Sequence, residues 1–109
     1  MTDCIFCKIA NHDIPVKVMF EDDVCLAFPD INPQAATHVL IIPKQHFANV
    51  TQAGDSLLGH VLKVAAEIAE KTLPGGFRIV INTGDDGGQT VDHLHLHLLG
   101  GRDMKWPPG

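Results

Sequence analysis

Apolar and polar positions repeat along this chain with two periods, and the periods divide it into elements. Asp3 can cap a short helix over about Cys4–Asn11, whose apolar side holds Ile5, Phe6 and Ile9 and which Ile14-Pro15 ends. Val16–Glu21 and Val24–Phe28 are rich in β-formers and flank Asp22-Asp23, which predicts a hairpin. Pro29-Asp30-Ile31-Asn32-Pro33-Gln34 reads as a turn-rich loop. His38–Ile42 then predicts a strand stopped by Pro43, and 44–54 an irregular stretch with room for one helical turn. Asp55 or Ser56 caps one long helix running to about Leu73, because Leu57, Leu58, Val61, Leu62, Ala65, Ile68 and Ala69 form a stripe at helical spacing. His60, Lys63, Glu67, Glu70 and Lys71 lie mostly off that stripe, which places His60 in solvent. Pro74-Gly75-Gly76 ends the helix, and Phe77–Asn82 is a fourth strand.

The fifth strand is the most regular. In Asp92-His93-Leu94-His95-Leu96-His97-Leu98-Leu99, histidine and leucine alternate without a break. Period two sends His93, His95 and His97 to one face and the leucines to the other. At a rise of about 3.3 Å per residue, neighbouring histidines have Cα atoms roughly 6.6 Å apart, so two imidazoles can converge on one phosphate-sized group. A single histidine on an apolar face is usually structural; three in a row on one face carry chemistry. Five strands and one long and one short helix, with few β-α alternations, predict an antiparallel α+β domain.

Composition narrows the chemistry. A chain of 109 residues, 45% hydrophobic and 19% charged, makes one small soluble domain. A formal net charge of -5 argues against nucleic-acid partners and against a polybasic membrane anchor, so an anionic ligand needs local donors. The start, Met1–Phe6, has neither the basic region nor the apolar run of a signal peptide, and no stretch is long enough to span a membrane, which makes a cytoplasmic location the expectation. The odd count of cysteines (Cys4, Cys7 and Cys25) does not suggest disulfides. Cys4-Ile5-Phe6-Cys7 is half of a zinc site, and any remaining ligands must be histidines. The tail holds the only tryptophan, Trp106, before Pro107-Pro108-Gly109, and a tryptophan there is expected to pack on its own domain, a second subunit or a ligand.

Two readings of the histidine row compete. Histidine pairs on strands are good metal ligands, but a dinuclear hydrolase needs nearby carboxylates and here Leu98 and Leu99 follow. Alternatively one imidazole attacks phosphorus while its neighbours hold the phosphate oxygens. The second reading also explains Thr83-Gly84-Asp85-Asp86-Gly87-Gly88-Gln89-Thr90, a glycine-rich loop without the Walker pattern just before the row.

The run His93-Leu94-His95-Leu96-His97-Leu98-Leu99 resembles the signature of the histidine triad superfamily. Ile5-Phe6-x-Lys8-Ile9, Asp30-Ile31-Asn32-Pro33, His38, Ile42-Pro43-Lys44, Asn82, Gly87-Gly88-Gln89 and Gly100-Gly101-Arg102 follow in that family's order, and the Trp106-Pro107-Pro108-Gly109 ending is similar to its Hint branch of nucleotide-binding proteins. The resemblance covers essentially the whole chain. It implies a homodimer whose two sheets join into ten strands, and hydrolysis of phosphoramidates or acyl-phosphates of AMP or GMP through a nucleotidyl-histidine. By position His95 is the nucleophile, His97 holds the phosphate, and His93 supports the nucleophile or binds metal. It implies too that Thr90 stands near the leaving group and that Asn82, Gly88, Gln89 and Thr90 line the phosphate. The resemblance further implies that Asp30 binds the ribose and that Phe6, Ile9, Phe28, Ile31 and Leu40 form the base pocket. Zinc-bearing members imply a structural zinc on Cys4, Cys7, His46 and His93, with no redox cofactor. The family's alternatives are a dinucleoside polyphosphate hydrolase and a zinc-stiffened nucleotide-binding scaffold. Thr90 replaces the branch's usual serine, Asp92 a common aromatic, Thr83 a frequent acidic residue and Pro29 a polar one, and these positions bear on leaving-group and base preference.

Overall fold

A computed structural model describes residues 3–109; Met1 and Thr2, which begin the stretch read above for a signal peptide, lie outside them. The elements are α1 (Ile5–Ala10), β1 (Phe20–Glu21), β2 (Cys25–Pro29), β3 (Thr37–Pro43), α2 (Asp55–Thr72), β4 (Phe77–Val80) and β5 (Leu96–Gly100). The strands form one antiparallel sheet in the order β1-β2-β3-β5-β4, the expected α+β architecture.

The sheet separates two apolar layers. Cys25, Ala27, Val39, Ile41, Leu94, Leu96 and Leu98 pack on one face against Val61, Val64, Ala65 and Ala69 of α2. The opposite face places Leu26, Phe28, Leu40 and Ile42 against Phe6, Ile9 and Ala10 of α1. Leucine alternation therefore anchors the histidine segment under α2 and leaves its imidazoles on the α1 side.

Several element ends differ from expectation for identifiable reasons. Cys4, not Asp3, caps α1, its Sγ accepting from the Cys7 N–H at 3.2 Å. Gly54 occupies the N-cap of α2 without a side-chain bond, and Asp55 falls in the first turn. Within α2, Leu62 is 47% exposed and Val64 takes its place in the buried stripe. The first strand shrinks to Phe20–Glu21 because, two residues further out, the Phe20–Ala27 register sets Val18 opposite Pro29, which has no N–H to give. His60 is not merely solvated. Its Nε2–H donates to Asp22 Oδ2 at 2.6 Å, while Asp22 Oδ1 accepts from the Val24 and Cys25 N–H groups at 2.8 Å. This carboxylate thus builds the β1–β2 turn and ties it to α2. Burial pushes the Asp22 pKa up, but the Cys25, Val24 and His60 hydrogen bonds outweigh it and the net shift is downward.

β5 begins only at Leu96, so His93, which lies in a bend, and His95 precede the ladder. There the Leu94 N–H donates to Phe47 O at 2.7 Å, and β4 ends at Val80 and not Asn82. Trp106 is 82% exposed, so its own domain is not what it packs against.

Candidate active site beside a cysteine–histidine cluster

The three histidines of the row each have a distinct set of partners, and those partners fix where the protons sit. His93 is fully buried, and its Nε2–H donates to Pro43 O at 2.9 Å. Burial, the largest effect, lowers its pKa, so the ring is neutral and its Nδ1 presents a lone pair. That nitrogen lies 3.2 Å from Cys4 Sγ, 3.5 Å from Cys7 Sγ and 3.2 Å from His46 Nδ1, and Cys7 Sγ lies 3.3 Å from His46 Nδ1. All four ligand atoms fall within 4.8 Å of one another. Nitrogen and sulfur ligands around a tetrahedral zinc ion are separated by about 3.3–3.8 Å, so this donor set and spacing fit one metal ion. Burial raises the Cys7 thiol to about 11, with Cys4 adding to the shift; a bound cation reverses that preference and favours thiolate. The Cys-x-x-Cys half-site read from the sequence is thus completed by His46 and His93.

His95, 6% exposed, donates from Nδ1–H to the His93 carbonyl at 2.7 Å. Its Nε2 is therefore bare in the neutral ring, the form in which imidazole is a nucleophile. The Phe6 ring stands edge-on to both His93 and His95, with centroids at 5.9 and 5.0 Å. Phe6 lies between the two cluster cysteines in sequence.

His97 completes the row, its ring 5.0 Å from that of His95. A histidine that the sequence singled out only by its place in a motif order, His38, controls it. The Gln34 N–H donates to His38 Nδ1 at 3.0 Å, so the His38 proton sits on Nε2 and is donated to His97 Nδ1 at 2.8 Å. The neutral His97 ring must then carry its own proton on Nε2. Burial first, then His95 and His38, lowers the His97 pKa to about 4, and burial lowers that of His38. With both rings neutral, the row offers a lone pair at His95 Nε2 and an N–H donor at His97 Nε2, side by side.

The remaining expected residues are less uniformly placed. Asp30 Oδ1 accepts from the Asn32 N–H at 2.8 Å and its Oδ2 stands 3.5 Å from His38 Nε2, so the carboxylate is partly committed to its own loop. Phe6, Ile9, Phe28 and Leu40, at 4–7% exposure, are core and offer a base only their outer edges. Ile31 stands apart from them, 98% exposed at the loop tip. Asn82 is half-buried and Thr90 exposed.

The glycine-rich loop corrects one expectation. Its Gly88 and Gln89 N–H groups are spent on Asp85 O and Gly84 O at 3.0 Å each, and the Gln89 amide bonds Ala48 O, Val91 O and the Gly84 N–H. Gln89 thus braces the loop instead of aiming a donor at a ligand. A Cβ on Gly87 would meet Thr83 O at 2.3 Å, and Gly88 has φ +80°, so the double glycine is what lets this turn close.

Residues 11–104 match the HIT domain. An uncharacterized HIT-like protein of Synechococcus elongatus is 55% identical over 98% of this chain and 97% of its own length. Among solved structures, a HIT family hydrolase from Legionella pneumophila Philadelphia 1 superposes with a TM-score of 0.93 at 52% identity, covering 98% of this chain and all of that one (100%). A histidine triad nucleotide-binding protein from Candida albicans gives a TM-score of 0.85 at 34% identity over 98% of this chain and 85% of its own. On sequence and structure together, this chain belongs to the HIT domain family.

Proposed function

We propose that this protein is a hydrolase of purine nucleoside monophosphate conjugates, cleaving the P–N bond of AMP- or GMP-amines, or the corresponding acyl-phosphate, through a nucleotidyl-histidine. The observation that carries the reading is the proton arrangement: His95 Nδ1–H on the His93 carbonyl at 2.7 Å leaves Nε2 bare beside a neutral His97 whose Nε2 bears hydrogen. His95 Nε2 attacks phosphorus and the P–N bond breaks. The positive charge that develops on the imidazole is met at Nδ1–H by the His93 carbonyl, a partner in place before the reaction begins. His97 Nε2–H hydrogen-bonds a phosphate oxygen, and the Thr90 hydroxyl or His97 supplies the proton of the departing amine. Water then attacks the nucleotidyl-histidine, releasing AMP and restoring the ring. In this reading Asp30 holds the ribose, and the outer edges of Phe6, Ile9, Phe28 and Leu40, with Ile31, meet the base. Asn82 completes the phosphate site. Cys4, Cys7, His46 and His93 hold a structural zinc that takes no part in the steps, and a cytoplasmic setting suits three free cysteines.

Turnover of an aminoacyl phosphoramidate of adenosine, set against diadenosine polyphosphate, tests the proposal. The expected result is a kcat/KM at least about 100-fold higher for the phosphoramidate, about 2.7 kcal/mol in transition-state free energy. Preference for the dinucleotide makes the chain a polyphosphate hydrolase, and AMP binding without turnover makes it a scaffold.

The same proposal includes a homodimer through the open edge of β4, where Phe77 and Ile81 are 44% and 36% exposed. Pairing that edge with a second copy covers unsatisfied backbone groups and gives one ten-stranded sheet. Light scattering is expected to return about twice the 11.8 kDa chain mass, and a mass of one chain contradicts it.

A further inference from the structure

We propose that the cysteine–histidine cluster, when it holds its metal, positions the nucleophile of the adjacent site, so that metal occupancy and His95 reactivity are linked. The inference rests on the zinc and nucleophile assignments above and joins them. His93 belongs to both sites. Its Nδ1 faces the cluster, its Nε2–H is held by Pro43 O at 2.9 Å, and its backbone carbonyl accepts the His95 Nδ1–H at 2.7 Å. A ligand bond at Nδ1 and a hydrogen bond at Nε2 together fix this ring in plane and tautomer. With the ring fixed and Leu94 bonded through its N–H to Phe47 O at 2.7 Å, the intervening carbonyl has one direction in which to point.

A second path runs through α1. Cys4 is the N-cap of this six-residue helix, Cys7 lies in its first turn, and Phe6 stands between them with its ring edge-on to His95 and the two ring centroids 5.0 Å apart. So short a helix has little stability of its own. Its position against the sheet depends on the Phe6–Ile9–Ala10 packing and on whatever ties the two sulfurs to His46 and His93. Releasing the metal leaves two thiols and two imidazoles in mutual contact at 3.2–3.5 Å, where three neighbours compete for the one His93 Nδ1 lone pair and fewer, weaker hydrogen bonds replace the four ligand bonds. Both the hydrogen-bond acceptor and the ring that back His95 are then held less firmly. A misplacement of about 1 Å at a reacting atom costs on the order of 100-fold in rate.

The experiment compares the zinc-loaded protein with the same protein after chelation and after replacement of zinc by cadmium, whose larger radius shifts both sulfurs. Three readouts are taken: the His95 tautomer by nitrogen-15 NMR of the imidazoles, the rate of carbethoxylation of His95 followed by peptide mass, and kcat set against the Kd for AMP. In the zinc form His95 is expected as a single Nδ1–H tautomer. In the chelated form a mixture of tautomers, a changed carbethoxylation rate and a kcat lower by about 10- to 100-fold are expected, with the AMP Kd within about twofold. Where chelation unfolds the chain, cadmium supplies the comparison through a shifted His95 resonance and a lowered kcat. A folded chelated or cadmium form with the zinc form's His95 tautomer and reactivity overturns the linkage. Failure of the zinc assignment itself is seen separately, as protein purified without chelator that carries no metal.

Discussion

His95→Ala is expected to keep the fold and AMP binding while turnover of a phosphoramidate falls by roughly a thousandfold or more. The size follows from chemistry: no other group in the row has a bare nitrogen placed to attack. His93 Nδ1 is turned into the cysteine cluster, and His97 Nδ1 is occupied by His38 at 2.8 Å. Removing the proposed nucleophile leaves binding and oxyanion contacts to act on water, and such residual catalysis is small beside the full rate. The fold survives because His93 keeps its bond to Pro43 O and Leu94, Leu96 and Leu98 remain packed under α2. His97→Ala is expected to cost less, about 100- to 1,000-fold, since it removes one hydrogen-bond donor to the phosphate rather than the bond-forming atom. Steady-state kcat and the Kd for AMP, with circular dichroism as the fold control, check both. A His95→Ala enzyme within tenfold of wild type contradicts the assignment.

The second large effect concerns stability. Protein purified without chelator is expected to contain about one zinc per chain, and Cys7→Ala to lose it. The four ligands come from α1, the segment after β3 and the segment before β5, so one ion closes two long loops at once. Metal binding to such a site is folding free energy, because the unfolded chain has no preformed site. A loss of about 3 kcal/mol, modest for a structural zinc, lowers the melting temperature of a domain this size by roughly 10 °C or more. The thiol deletion also leaves a void beside His93, so the chelated wild type is the cleaner comparison. Elemental analysis and thermal unfolding with and without chelator decide it; metal content near zero with an unchanged melting temperature contradicts the assignment.

What could be read from the amino acids follows the range of each signal. The His–Leu alternation from His93 to Leu98 correctly separates the imidazoles from the α2-facing core, because period two is a local property of extended chain. Where the ladder begins is not local. It depends on the Leu94 N–H finding Phe47 O, so the strand starts at Leu96 and not at Asp92. The helical stripe of α2 is visible, yet Leu62 and Val64 exchange places, since rotation of a helix by part of a turn is set by the sheet beneath it. The Cys4–Cys7 spacing exposes half of the metal site. His46 and His93, 39 and 86 residues from Cys7, come only through family resemblance until the fold brings them together. His38 is legible as a position in a motif order, but its control of the His97 proton depends on the Gln34 N–H, which composition and spacing do not reveal. For Gln89, a glycine-rich loop before a histidine row suggests a ligand-facing amide, and the competing need to close the loop on Gly84, Ala48 and Val91 prevails.

The proposed reaction is covalent catalysis at one nitrogen. Its most direct test is an acid or rapid quench of wild-type enzyme during turnover of an adenosine phosphoramidate labelled at phosphorus, followed by peptide mass analysis. The proton arrangement of the row predicts label on the peptide that spans residue 95, localised to the His95 imidazole, absent from His95→Ala, and accumulating and decaying with turnover. Turnover at the normal rate with no label on any histidine, together with complete loss of activity when metal is removed from a still-folded protein, contradicts it and makes the site a metallohydrolase.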